Sequence, residues 1–453
     1  MSQTDRGGAG PGDSGFRREL GLVDTAVVVA GAIIGVGIFA NPANVARILG
    51  EPSLILLAWV LGGILALLGG FAYAELGSRL PLVGGQYTYL ARAYPPVIAF
   101  LYGVALLFII NGGSIAAVSI VFASYVDRSF LPLGSWGIRA VAALALIVLT
   151  IINLLGVRQG KWTNNILMAA KIGGILLLIG LALFASSPAE ASGSVAAIDS
   201  NRSLTGLMFT ALVPIMFAYG GWQNAGSIAG EIKDPGRTLA RANVIGVGVV
   251  VLLYVGLNLA YLHVLPVEQI GASPAVAADM ARAVAGETGA RFLSALILVS
   301  SLGFLAVIIM TAPRLYYAMA QDGLFPRRAA TLHPRFRTPA FTLWFQCAVS
   351  LVLLMTNTYD QLLSYVVFAD WLFFGLTVGA IFVLRRRQPE ATGVARMPGH
   401  PVTTLIFVIV AAGIVLNSFV AYPQQSLIGS AILVASAVAY FLLLHRRSAR
   451  GIS

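Results

Sequence analysis

Charge is what this chain has least of. Only 10% of its 453 residues are Asp, Glu, Lys or Arg, against roughly 25% in soluble domains. So thin a supply cannot cover a soluble fold of this length, and a water-exposed globular architecture is excluded. Cysteine is nearly absent too. Cys347 stands alone inside an apolar block, which removes a disulfide framework and a thiolate metal cluster. The four histidines, His263, His333, His400 and His445, are scattered near segment ends, so no metal or other cofactor is expected. No basic run exceeds Arg385-Arg386-Arg387, which argues against nucleic acid as a partner. A Walker phosphate loop is missing, so nothing ties the chain directly to ATP hydrolysis. Neither a Gly-x-Ser-x-Gly elbow nor a pair of facing aspartates points to an enzyme. Residues 1–20 are Gly-rich and polar and lack the apolar core of a cleaved signal peptide; the first span is expected to act as the insertion signal.

What the chain has is apolar length. Hydrophobic residues make up 58% of it, in blocks of the ~20 residues needed to cross a hydrocarbon core of about 30 Å. Lipid is therefore expected to be the solvent for most of the chain. Twelve spans are read, near 22–46, 52–78, 95–126, 137–156, 163–186, 204–231, 238–263, 291–318, 339–357, 360–384, 401–420 and 426–445. Residues 79–94 read as a short amphipathic inner loop, and 264–290 as a longer outer loop with some helical character. One transmembrane domain, 21–445, is thus expected between a tail at 1–20 and another at 446–453. With this count, 22 of the 29 Lys and Arg fall on one side, six on the other, and Lys171 within span five. The positive-inside rule then places both termini in the cytoplasm of a cell's inner (plasma) membrane. The formal charge of +11 reads as basic loops held against anionic lipid.

Two spans carry breaks. Span one contains Gly31-Ala32-Ile33-Ile34-Gly35-Val36-Gly37-Ile38-Phe39, and span six contains Pro214 to Asn224 with Gly220-Gly221. Each glycine costs a helix about 1 kcal/mol relative to alanine, so clustered glycines mark unwinding. Unwound backbone is tolerated in a membrane where it lines a cavity or is buried in protein. Freed N–H groups can hold a carboxylate, and freed carbonyls an ammonium or a cation. An α-amino acid carries one of each. Close helix packing through small residues is the alternative for each glycine cluster taken singly. Breaks in the first helices of two halves favour a transport site.

These residues resemble a known family. Gly31 to Phe39 is similar to the first-helix signature of the amino acid/polyamine/organocation superfamily. Tyr73-Ala74-Glu75-Leu76 through Gly84-Gly85-Gln86-Tyr87 resembles its second-helix exit. Phe217 to Trp222 with Glu231-Ile232-Lys233-Asp234-Pro235 resembles its sixth helix. Arg314 to Pro326, His333-Pro334 and Thr338-Pro339 resemble its loop after helix eight. The likeness runs over roughly 20–445 and is closest to the L-type amino acid transporter branch and its bacterial relatives. It implies an all-α membrane fold with a LeuT-like five-plus-five inverted repeat, repeat one about 21–186 and repeat two about 204–384, followed by helices 11 and 12 at about 401–445. It also implies sodium-independent secondary transport of amino acids, neutral ones first, by alternating access as exchanger or proton symporter. On this resemblance the substrate carboxylate meets the N–H groups of Gly35, Val36 and Gly37. The ammonium meets carbonyls at Ile33, Phe217 and Gly220, beside Ala218, and Phe217 is an aromatic gate. Val36 stands where the family often has serine, and Gln86 where glutamate is common. The outer loop 127–137 has no cysteine for a disulfide-linked heavy chain, so a monomer or homo-oligomer is expected.

Charged and polar residues within spans are the remaining candidates. A mid-span lysine costs about 2.5–3.5 kcal/mol on insertion scales. Lys171 therefore either snorkels to an interface or, as the resemblance implies, fills the place of a sodium ion. Asp370 and Ser114 are candidates for a side-chain pocket, with helix-packing hydrogen bonds as the alternative. Asn111, Tyr254 and Asn258 read as interhelical hydrogen-bonding groups. Glu75 reads as a solvated carboxylate at the inner interface. Trp222, Trp344 and Trp371 read as packing or interface residues, or else gates. A channel lacks its filter motif here. A sensor that binds without transporting, and a carrier of cationic amino acids or amines, stay open as alternatives.

Overall fold

The computed structural model describes residues 21–80, 85–156, 161–185, 203–223, 232–321, 323–336, 338–389 and 393–444. The expected tails and the far part of span six, 224–231, lie outside the described residues. The described chain is helical. Its helices are α1 (Leu22–Ile33), α2 (Gly37–Leu49), α3 (Pro52–Arg79), α4 (Gln86–Ala93), α5 (Pro96–Ala105), α6 (Gly112–Ser129), α7 (Gly134–Leu154) and α8 (Lys161–Leu183). They continue as α9 (Leu204–Tyr219), α10 (Pro235–Val264), α11 (Val267–Ala272), α12 (Val276–Gln321), α13 (Ala340–Thr356), α14 (Tyr359–Arg387), α15 (Val402–Ala421) and α16 (Pro423–Ala439).

Local sequence explains where these helices begin. Pro52, Pro96, Pro235 and Pro423 each sit in a first turn, where the missing N–H has no partner to lose. The Ser203 hydroxyl accepts from the Gly206 amide at 3.2 Å, and Thr358 with Gln361 forms a reciprocal capping box at α14. Between α5 and α6 a wider π-turn at Leu106–Asn111 carries the span through without interruption.

Among the described residues, eight helices are long and apolar enough to cross a membrane. A ninth span is formed by α1 and α2, which bend by 48° at their break. Three shorter apolar helices, Lys171–Leu183, Leu204–Tyr219 and Ala340–Thr356, fall where spans five, six and nine were expected. Large apolar side chains face outward, among them Leu252, Leu416 and Val420. A soluble protein does not leave surface of this kind in water.

Two expectations change. The inner loop after α3 holds a helix, α4, whose Tyr89, Leu90 and Ala93 are buried. The outer connection has the helical character read for 264–290: it holds α11 and the first part of α12, which starts at Val276 and is broken at Gly286. Glu75 is not solvated: its side chain is fully buried. It accepts from Arg79 Nε at 2.9 Å, Arg385 Nε at 2.8 Å, Arg385 Nη2 at 2.7 Å and the Met397 amide at 2.7 Å. A buried carboxylate requires such donors, and here they draw together the ends of α3 and α14 and the segment leading into α15.

Candidate functional site

The two breaks meet. Residues Ile34–Val36 separate α1 from α2, and α9 ends at Tyr219 with Gly220-Gly221 leaving the helix. A Cβ on Gly37 would lie 2.7 Å from the Ala218 Cα, and one on Gly221 would lie 2.2 Å from the Ala32 carbonyl oxygen. Gly221 also has φ of +126°, a backbone region that side chains disfavour. Only glycine lets these two backbones touch.

The residues that the resemblance pointed to lie at these two breaks. Gly35, Val36 and Gly37 precede or open α2, so their N–H groups have no intrahelical acceptor. The carbonyls of Ile33, Phe217 and Gly220 lie at the ends of α1 and α9. The Phe217 carbonyl accepts from the Gly220 amide at 3.3 Å. The Ile33 carbonyl accepts from the Tyr254 hydroxyl at 3.2 Å. A carbonyl has two lone pairs, so each keeps one acceptor position. The Phe217 ring packs at the junction of three apolar clusters, between the core and the helices α5, α6 and α14.

Tyr254 does more than the interhelical bonding expected of it. Its hydroxyl lies 3.2 Å from the Ile33 carbonyl and 3.3 Å from that of Ala218. One hydroxyl therefore serves the C-terminal ends of both half-helices. Its ring is held edge-on by Trp59 at 5.9 Å and tilted against Tyr219 at 5.1 Å. Phe304 of α12, which sequence reasoning passed over, lies 3.9 Å from where a Gly35 Cβ would be. A lone aromatic in an apolar run gives no signal of such a position.

The α2 half of span one is fastened by polar contacts. The Tyr125 hydroxyl donates to the Phe39 carbonyl at 3.0 Å, and Asn41 donates to the Pro214 carbonyl at 2.7 Å. The Tyr359 hydroxyl donates to Asn41 at 2.6 Å, and Asn44 donates to Asp360 at 2.8 Å. Arg47 pairs with Asp360 at 3.2 Å. By contrast α1 packs mainly on α10, with Val23, Val27 and Val28 exposed.

Lys171 is buried on α8 without a hydrogen bond or ion pair among the described residues. Gly174, one turn on and on the same face, abuts Leu296 of α12. Ser114 is buried on α6, likewise without a hydrogen bond among the described residues. Asp370 is half-buried on α14 and unpaired among them. Asn111 bonds across helices to the Tyr316 hydroxyl at 3.1 Å. Asn258 instead bonds within its own helix, to the Tyr254 carbonyl at 2.8 Å. Trp222 and Trp371 are buried among aromatics, whereas Trp344 is exposed.

A family profile described as amino acid permease matches residues 20–444. The chain belongs to the amino acid permease family. This permease is 31% identical to the serine/threonine exchanger SteT of Bacillus subtilis over 396 residues, 86% of its own length and 88% of the relative's. It is 29% identical to the human large neutral amino acids transporter small subunit 2 over 446 residues, 96% of its length and 82% of the relative's. It is 28% identical to the human b(0,+)-type amino acid transporter 1 over 442 residues, 96% and 90% of the two chains. The permease is thus a multi-pass membrane transporter of the amino acid/polyamine/organocation superfamily, among L-type relatives, and not an enzyme.

Proposed function

We propose that this permease is a sodium-independent secondary transporter of neutral L-amino acids, working by alternating access as an exchanger or a proton symporter. The observation that carries the reading is the contact of two helix breaks, which gathers the amides that open α2 and the carbonyl ends of α1 and α9 in one place. In this reading Gly35, Val36 and Gly37 hold the carboxylate. Ile33, Phe217 and Gly220 take the ammonium, Ala218 lines the site, and Phe217 covers it. Asp370 and Ser114 border the side-chain pocket. The fold reads as twelve spans in a five-plus-five inverted repeat, with both termini on the inner side of the plasma membrane. The single cysteine, Cys347, is buried, which supports action without a disulfide-linked partner. Asp370 supports a second reading, a cationic amino acid or amine as substrate.

The test is uptake by purified protein in liposomes, using a labelled panel that includes serine, threonine, leucine, phenylalanine and lysine. Uptake stimulated only by internal amino acid means exchange, and accumulation driven by a proton gradient means symport. Absence of saturable uptake of every panel member would sink the proposal. In this reading Lys171 stands in for a sodium ion, so replacing sodium by choline leaves the wild-type rate unchanged. Lys171→Ala is expected to raise KM by about tenfold or more, the loss of one charge-assisted interaction. Unchanged KM in that variant would remove the residue from the mechanism.

A further inference from the structure

A second polar cluster lies between α14 and the helices α3, α4 and α5, and Trp222, next to the break at Gly221, packs on its Tyr73 at 5.0 Å and its Phe374 at 4.8 Å. Asp370, Phe373, Phe374 and Thr377 share one face of that helix, at spacings of three, four and seven. Tyr102 of α5 packs on Phe373 at 5.3 Å, and Tyr73 of α3 packs on Phe374 at 6.3 Å. Tyr89 of α4 packs on Tyr73 at 5.9 Å. The Tyr102 hydroxyl donates to Gln86 Oε1 at 3.2 Å. Two polar atoms of this cluster, the Tyr89 hydroxyl and the amide nitrogen of Gln86, are buried without a hydrogen bond, and the Tyr73 and Thr377 hydroxyls have only each other within reach. Buried polar groups in proteins are almost always satisfied, by water where not by protein. Polar atoms gathered in this way are where an ordered water would bind.

Into that cluster projects a carboxyl group with no counter-charge. No lysine, arginine, histidine or second carboxyl among the described residues pairs with Asp370 from α3, α4, α5, α6, α9, α15 or α16. The titratable groups in electrostatic reach are phenols: Tyr73, Tyr102 and, behind Tyr102, Tyr316. The nearest ion pair on α14, Asp360 with Arg47, is 10 residues back, about 15 Å along a helix. An unpaired carboxylate at membrane depth is costly, and the smallest group that neutralises it is a proton.

We propose that Asp370 is a proton-binding site of the transport cycle, with Tyr102 and Gln86 forming its hydrogen-bonded route toward the α4 end of the molecule. One proton arrives from bulk water on one side and forms an O–H bond on a carboxyl oxygen of Asp370. It leaves to water on the other side as the carboxylate re-forms, and no other reactant is consumed. The proposal rests on the transport reading above and narrows it to proton coupling.

The experiment uses the full chain in liposomes with the membrane potential clamped at zero, a pH dye in the lumen, and serine, threonine, leucine and phenylalanine as probes. For one coupled proton, accumulation rises by up to about tenfold per unit of pH gradient, and substrate entry acidifies the lumen. In Asp370→Asn, gradient-driven accumulation and acidification are expected to vanish relative to that variant's own exchange rate. Gln86→Leu, outside the substrate site, is expected to slow acidification and serves if Asp370→Asn does not fold. Wild-type transport that is indifferent to pH, or Asp370→Asn that keeps its gradient-driven accumulation, overturns the proposal. So does proton-free uptake of lysine that Asp370→Asn abolishes, which assigns the carboxylate to an amine. Infrared difference spectra across a pH step decide the matter even if no probe is transported. A protonated-carboxyl band that is absent from Asp370→Asn supports the proton site, and its absence from the wild type ends it.

Discussion

Gly221→Ala is expected to reduce exchange by about 100-fold or more, because misplacement of reacting or binding groups by about 1 Å is enough for such a loss. The added Cβ would meet backbone: the Ala32 oxygen at 2.2 Å, the Ala32 carbonyl carbon at 2.5 Å and the Ile33 nitrogen at 2.8 Å. Backbone cannot rotate aside as a side-chain tip can. The φ of +126° adds strain that alanine relieves only by moving the chain. Both effects push the breaks apart where their amides and carbonyls face one site. The protein should still insert and purify, since the apolar faces of its spans are untouched. Gly173→Ala is the control: nothing lies within 4 Å of a Cβ there, and alanine suits a helix better than glycine. If Gly221→Ala exchanges as fast as Gly173→Ala, contact between the breaks is not what the site depends on.

The second large effect is on stability. Glu75→Ala is expected to cost about 3–5 kcal/mol, the usual result of removing one member of a buried ion pair. Arg79 would be left with its side chain 3% exposed, and Arg385 and the Met397 amide would lose their acceptor. Beside them the His400 imidazole is held below its ordinary pKa by burial first and by Arg385 next. It is therefore neutral near pH 7 and supplies no negative charge to replace the carboxylate. Thermal unfolding in detergent should begin several degrees lower, and protease should cut the segment before α15 sooner. The double variant Glu75→Ala/Arg385→Met should recover part of the loss, since the orphaned charge rather than the missing contact dominates. A double variant no better than the single would mean that packing, not charge, holds this corner.

The sequence made the membrane class and the two breaks legible for different reasons. Spans announce themselves through composition, because lipid demands about 20 apolar residues in a row. The breaks announce themselves because glycine clusters are costly in helices. Contacts between distant helices have no such signature. Glu75 looked interfacial because its partners, Arg385 and Met397, lie more than three hundred residues away. Tyr254 looked like one of several polar groups in apolar surroundings, and nothing in its neighbours reveals that it faces Ile33 and Ala218. The second glycine at 221 was visible, yet its importance lies in a positive φ and in Ala32, neither of which one strand of sequence displays. The polar cluster was hidden in the same way, since Tyr73, Gln86, Tyr102 and Thr377 are ordinary residues until four helices gather them.

The unequal fastening of span one has a mechanical consequence. Its α2 half is clamped by contacts to α6, α9 and α14, while α1 leans chiefly on α10. The span is a lever gripped at one end, with its fulcrum at Ile34–Val36. Displacement at the fulcrum is then expressed as swing of α1, and breaking the grip at Asn41 or Tyr359 would move the pivot rather than remove it.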